Sequence, residues 1–328
     1  MELFPLKHGY FTSKPSLEKK LRQVWLFAVL LITLILILFW YPLRDPESTY
    51  ALVSITITNP AVLYFFRAVT ILGSEGFFLV LFSTIYWSVS KTLGSWGLII
   101  MAVSIFLTSE IPKDLIRLPR PDIRGVTVPT YTFPSGHTSG AVSVWGSMAI
   151  IIRKRWFWFS ALTVMILVGL SRVMLGYHFP GDVLGGLVTG SIFIALLFGL
   201  AWKTGDFKYE KNMPFYFLML LSFCGPLVLS FIPATYAPNL MGYAAGAGTG
   251  FLLDKKYLNF SPGGTWWHHP ARFAIGVSGI ALTTLGAAPL LGQGINFLTF
   301  VFFALATFWA TYLAPLLFIK MGLAARSK

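Results

Sequence analysis

The segment Ser171–Asp182 carries Ser171, Arg172, His178 and Asp182 in a chain where Asp, Glu, Lys and Arg are only 11% of residues. His178 and Asp182 stand four apart, the spacing of one helical turn. The carboxylate is therefore expected over the imidazole, where it would fix the tautomer and raise the nucleophilicity of the ring. With Arg172 nearby, an imidazole so activated is suited to attack an anionic centre, most simply a phosphoryl group. Two more clusters lie upstream, Lys113-Asp-Leu-Ile-Arg-Leu-Pro-Arg120-Pro121 and Phe133-Pro-Ser135-Gly136-His137-Thr-Ser139. A transferring phosphoryl group needs fixed donors around its equatorial oxygens, an in-line nucleophile and an acid for the leaving oxygen. Lys113, Arg120, Arg172, Ser135 and the Gly136 amide are predicted to cradle the oxygens, His178 to attack, and His137 to protonate the departing group.

These segments resemble the tripartite signature of the type 2 phosphatidic acid phosphatase superfamily, which holds the integral-membrane lipid phosphate phosphatases and the vanadium haloperoxidases. The match runs through Lys113, Arg120 and Pro121, then Pro134 to His137, then Ser171, Arg172, His178 and Asp182, and it covers roughly residues 60 to 200. The resemblance implies a phosphohistidine at His178, no metal and no cofactor, and an active site on the extracytoplasmic face. The wording of the first two motifs, with helices beyond the core, is similar to the sphingosine-phosphate phosphatase-like branch.

The elements that must position these residues are membrane helices. Hydrophobic residues make up 56% of the chain and mean hydropathy is +0.72, far outside the range of soluble domains. The expected fold is all-α, a polytopic membrane protein with a six-helix phosphatase core and about four further transmembrane helices. Ten apolar stretches approach the ~20 residues a span requires: 24–41, 75–90, 96–110, 138–152, 157–175, 183–202, 214–232, 239–254, 273–291 and 297–319. A net charge of +13 would suggest nucleic acid in a soluble protein, but here the membrane accounts for it. If both chain ends are cytoplasmic, only Arg44, Arg67, Lys113, Arg117, Arg120, Arg124 and Arg172 of the 25 Lys and Arg fall outside. The positive-inside rule selects this orientation, which also puts all three motifs on one extracytoplasmic face. Stretch 24–41 is too long for a signal-peptide core and reads as a retained helix. Cys224 is the lone cysteine and can form no internal disulfide.

The chain divides into a basic cytoplasmic tail (1–23), a phosphatase core (24–202), a cytoplasmic linker (203–213) and a C-terminal bundle (214–328). Residues 42–74 read as mixed chain with an amphipathic stretch, Ala61 to Leu72, at the outer interface. Five prolines between 111 and 136 argue for an outer loop without a long helix. Gly242, Gly246 and Gly250 give one C-terminal helix a smooth face for close packing, within the chain or in a homo-oligomer.

Asp114 and Asp122 lack the further carboxylates of a magnesium site, so no metal is assigned. His268 and His269, adjacent on a helix, point about 100° apart and with Trp266 and Trp267 suit an interfacial aromatic belt. The reading that follows is hydrolysis of a lipid phosphomonoester or pyrophosphate, with membrane lipids as the other partners and no nucleic acid. Phosphatidic acid, phosphatidylglycerol phosphate, a sphingoid-base phosphate and undecaprenyl pyrophosphate all fit. A second reading is a lipid-phosphate transporter or flippase on a phosphatase-like core; soluble vanadium haloperoxidases are disfavoured by the spans.

Overall fold

The computed structural model describes residue 34 and residues 42–123, 130–152, 154–204, 214–232, 237–287, 289 and 296–327. The expected tail 1–23, most of the expected span 24–41 and most of the linker 203–213 lie outside these residues. Eleven helices follow in order among the described residues: α1 Pro46–Thr58, α2 Pro60–Ile71, α3 Glu75–Ser88, α4 Lys91–Ile116, α5 Gly136–Ile152, α6 Arg155–Met174, α7 Pro180–Thr204, α8 Phe215–Leu229, α9 Ala237–Leu253, α10 His268–Ala287 and α11 Asn296–Lys320. The all-α class is the one expected, and the helices from α3 onward lie on the nine apolar stretches after the first. Four are long and apolar enough to cross a bilayer unaided: α4, α6, α11 and, over Pro180–Leu197, α7. A helix such as α3, with 14 residues, is about 21 Å long against a hydrocarbon core of ~30 Å, so it spans only with its flanks.

Two expectations need correction. Residues 42–60 are not mixed chain, because Asp45 and Asn59 cap consecutive helices. Asp45 accepts from Ser48 N (2.8 Å) and Asn59 Oδ1 from Ala61 N (3.1 Å), each just before a proline whose fixed φ suits the first helical turn. The Asn59–Pro60 break bends α1 against α2 by 108°. The segment 111–136 is likewise not all loop, since α4 continues to Ile116 and holds Lys113. Pro112 has no N–H and its ring would meet the carbonyl four residues back. The helix absorbs this by widening to a π turn at Phe106–Glu110, where Ile111 N bonds to Phe106 O. The same device precedes Pro315, where Trp309–Leu313 is a π turn and Ala314 N bonds to Trp309 O. Arg117, at φ 53° in the left-handed region, ends α4.

Among the described residues the chain forms two compact units, one drawn from 1–73 and 115–209 and the other from 74–114 and 210–328. The linear division at 203–213 differs from this grouping in one respect, that 74–114 packs with the C-terminal segment.

In the first unit α5 lies between α6 and α7. Val142, Ala149, Ala161 and Met165 form its core with Trp145, Phe157, Leu187 and Ile194, and a second cluster of Val69, Ala141 and Val168 holds α2. Trp145 Nε1 donates to Leu72 O (3.1 Å) and Thr56 Oγ1 to Met174 O (2.8 Å). Gly186 lets α7 touch α5, because a Cβ there would lie 2.7 Å from Ser135 O.

In the second unit α9 is buried from Ala237 to Phe251 and packs on α11. The Gly242, Gly246 and Gly250 face meets α11 of the same chain, at Phe300 O, Ala304 O and Thr311 Oγ1, so it is not free for another copy. At one end of this unit the fully buried Arg272 donates to the carbonyls of Trp87 (2.8 Å), Pro262 (2.7 Å), Gly263 (2.6 Å) and Leu323 (2.9 Å). Beside it Asp254 accepts from Tyr86 Oη (3.0 Å) and pairs with Lys91 (3.2 Å).

A Cβ at Gly246 would sit 1.9 Å from Ala304 O, whereas one at Gly199 meets nothing within 4 Å. Gly246→Ala should therefore cost about 1–3 kcal/mol and lower Tm in detergent, with Gly199→Ala near wild type. Equal melting of the two variants would refute the packing.

Candidate active site

Between α6 and α7 the chain makes one tight turn, Leu175 to Phe179. His178 sits in that turn and Asp182 in the first turn of α7, so the two do not share a helix as the spacing suggested. Gly176, at φ 73°, permits the reversal, and the Tyr177 and His178 amides both donate to Arg172 O (3.0 and 3.2 Å). His178 is 2% exposed and Asp182 fully buried.

The carboxylate does not bond the ring directly. His178 Nδ1 lies 3.7 Å from Asp182 Oδ2, beyond hydrogen-bond range. Thr132 Oγ1 stands between them, 3.1 Å from Nδ1 and 2.5 Å from Oδ2. Phe179 N also donates to Oδ2 (2.9 Å) and Arg44 Nη1 pairs with Oδ1. Arg44 further donates to Pro119 O (3.0 Å) and its guanidinium lies 4.6 Å from the Phe179 ring centre. Asp182 O accepts from Ser135 N (3.0 Å), joining the start of α7 to the start of α5.

On the other ring nitrogen, Arg120 Nη1 approaches His178 Nε2 at 3.3 Å and also donates to Tyr177 O (2.9 Å). Its Nε and Nη2 are held by Thr130 O (2.9 Å) and Thr130 Oγ1 (2.7 Å). Arg172 is 8% exposed, donates from Nη1 to Thr70 Oγ1 (2.8 Å) and lies over the Tyr177 ring at 4.5 Å. Its Nε is buried with no hydrogen-bond partner. Ser135 precedes α5 and accepts from Thr138 Oγ1 (3.0 Å), while Gly136 and His137 open the helix. The first N–H groups of a helix lack intrahelical acceptors and favour an anion. Seven of the eight expected site residues thus belong to the first unit: Arg120, Ser135, Gly136, His137, Arg172, His178 and Asp182.

Lys113 belongs to the second unit. Its Nζ pairs with Glu110 Oε1 at 2.7 Å, one turn back on α4, and Ser109 Oγ donates to the same oxygen (3.1 Å). Glu110 was not foreseen as its partner, although the i, i+3 spacing on a helix is legible once α4 extends past Pro112. Arg44, Thr70, Thr130, Thr132 and Tyr177 were also missed as site residues. Thr130 and Thr132 flank Tyr131 immediately before the Pro134–His137 motif, a local hint; Arg44 and Thr70 come from distant sequence and carry no such signal. Among the described residues no three of His, Cys, Asp and Glu gather as a metal would require.

Residues 94–206 match the family model described as "PAP2 superfamily", and residues 238–326 match "PAP2 superfamily phosphatase, transmembrane extension". The chain is 28% identical over 221 residues to sphingosine-1-phosphate phosphatase 2 of Mus musculus, covering 61% of each chain. To phosphatidylglycerophosphatase B of Bacillus subtilis strain 168 it is 28% identical over 180 residues, 51% of this chain and 89% of that one. The match spans about three-fifths of the mouse relative's length. A crystal structure described as the first transmembrane PAP2 type phosphatidylglycerolphosphate phosphatase from Bacillus subtilis is 23% identical, with TM-score 0.45, over 55% of this chain and 98% of that one. Two models of one superfamily, together taking in more than half of the chain, place this multi-pass membrane protein in the PAP2 superfamily, with its transmembrane extension.

Proposed function

We propose that the protein hydrolyses a lipid phosphate through a phosphohistidine at His178. One observation carries this reading: Nε2 of a buried histidine faces the Arg120 guanidinium at 3.3 Å, while its other nitrogen is held by the Thr132 hydroxyl, which in turn donates to the Asp182 carboxylate. A lone pair at Nε2, beside cations that can bind equatorial oxygens, is the arrangement in-line phosphoryl transfer uses. Arg172 adds a buried Nε without a partner, a donor suited to an anion. The Gly136 amide and the Ser135 hydroxyl complete the cradle.

In the first step the Nε2 lone pair forms an N–P bond as the P–O bond to the lipid breaks. The leaving oxygen takes the electron pair and a proton from His137. Water, deprotonated by His137, then displaces His178 from phosphorus and releases inorganic phosphate. The relatives bear the names of a sphingosine-1-phosphate phosphatase and a phosphatidylglycerophosphatase. A lipid phosphomonoester is accordingly the substrate class proposed. Charge at the site comes from guanidinium groups, so no metal is required.

His178→Ala should abolish phosphate release from lipid phosphate micelles, and Asp182→Asn should cost about 10²–10⁴ in kcat, by analogy with removal of an orienting carboxylate from a catalytic histidine. Wild-type protein quenched during turnover should carry alkali-stable, acid-labile phosphate, keep its activity in EDTA and lose it to vanadate. Wild-type turnover by His178→Ala, or strict dependence on added magnesium, would refute the mechanism.

The proposed orientation has both chain ends cytoplasmic and the phosphate site extracytoplasmic. It is supported within the second unit, where Lys91, Asp254 and Arg272 gather at one end as alternating helices return there. In a Cys224→Ala background, Val126→Cys should label with an impermeant maleimide on intact cells. Labelling only after permeabilisation would invert the topology.

A further inference from the structure

We infer that Thr132 is a positioning residue, the hydroxyl through which Asp182 sets the tautomer of His178. The inference rests on the nucleophilic role proposed for His178 and adds a member to its machinery. Thr132 is fully buried, and its amide donates to Leu118 O (3.0 Å), which fixes the hydroxyl in place.

Proton positions follow from what each group is able to donate. An ionised carboxylate only accepts, so the Thr132 O–H points at Asp182 Oδ2 across 2.5 Å. The remaining lone pairs of Thr132 Oγ1 then face Nδ1 at 3.1 Å and can accept an N–H. The far side of the ring gives the same answer independently. Arg120 is donor-only, so Nε2 beside its Nη1 must be the accepting nitrogen, which leaves the proton on Nδ1. The line runs Nδ1–H to Thr132 O–H to Asp182, and it presents the Nε2 lone pair to phosphorus. When the N–P bond forms the ring becomes cationic, and the same line stabilises the charge without any proton leaving Nδ1. At 3.7 Å Asp182 makes no direct hydrogen bond to the ring.

Thr132→Val keeps the shape and removes the hydroxyl. Purified full-length protein assayed with dioctanoyl phosphatidic acid in detergent micelles should lose about 10–100-fold in kcat, with KM nearly unchanged, as loss of an orienting outer-shell partner typically does. Thr132→Ser should recover most of the lost turnover. In an Asp182→Asn background the same Thr132→Val change should cost less than about threefold further, because both substitutions break one line. Losses that simply multiply, or a Thr132→Val enzyme at wild-type kcat beside an inactive His178→Ala, overturn the inference and leave the phosphohistidine standing. An active His178→Ala would instead remove the reading beneath it. A readout independent of variant folding is the ring ¹⁵N spectrum of histidine-labelled wild-type protein, with His178 assigned by difference from His178→Gln. An Nδ1–H tautomer is expected, and a resting Nε2–H tautomer refutes the relay.

Discussion

A buried carboxylate must be satisfied wherever it lies, and the first unit is organised around that demand at Asp182. Taking an ion of this size out of water costs several kcal/mol unless donors surround it. Asp182 draws its donors from three places: Arg44 before α1, Thr132 before α5, and the Phe179 amide in its own turn. Its backbone oxygen takes a fourth, Ser135 N. Segments far apart in the chain are therefore located by one residue, and each carries a group of the site. Breaking one partner away would leave the buried charge with fewer donors, which constrains the loop before α5 that carries Thr132.

Close helix packing makes this geometry reachable. Gly186 and Gly190 bring α7 against the backbone of α5, where added Cβ atoms would lie 2.7 Å from Ser135 O and 2.8 Å from Ser139 O. The two helices approach with their N-terminal turns aligned, so Asp182 and Ser135 meet as a by-product of small residues one and two turns further on. Arg172 and His178 are joined more locally, since the amide of His178 ends on the carbonyl of Arg172. The fixed spacing between them in the sequence is the length of chain needed to end α6, reverse at Gly176 and enter α7 at Pro180.

Helix positions from α3 onward were legible because long apolar runs admit few alternatives in a membrane. Two local features were not. Asp45-Pro46 and Asn59-Pro60 read as breaks, yet an Asp or Asn before proline is also a helix start, and the cap geometry decides between them. Pro112 suggested a loop, but a π turn upstream removes the clash that would have ended α4. At the site, types and spacing named Arg120, Ser135, Arg172, His178 and Asp182, which direct contacts link, whereas Thr132 could not be found by spacing. The i, i+4 rule put Asp182 on His178 only because it assumed a shared helix; the helix begins at Pro180, and the hydroxyl occupies the gap that results.

Lys113 shows how a motif and its electrostatics separate. Its spacing to Arg120 is kept by the end of α4 and the chain beyond Arg117, and the motif crosses from one compact unit to the other. On α4 the lysine is paired with Glu110, 4% exposed, so part of its charge is already committed in the second unit. The hydrogen bonds of Arg120 to Thr130 and Tyr177, and of Arg172 to Thr70, end on neutral oxygens and cancel no charge. Those bonds fix the planes of both guanidinium groups. An arginine held by carbonyls and hydroxyls thus arrives preorganised, the state in which a cation stabilises developing negative charge most strongly. A lysine held by a carboxylate must instead exchange one anion for another before its charge can serve a second partner.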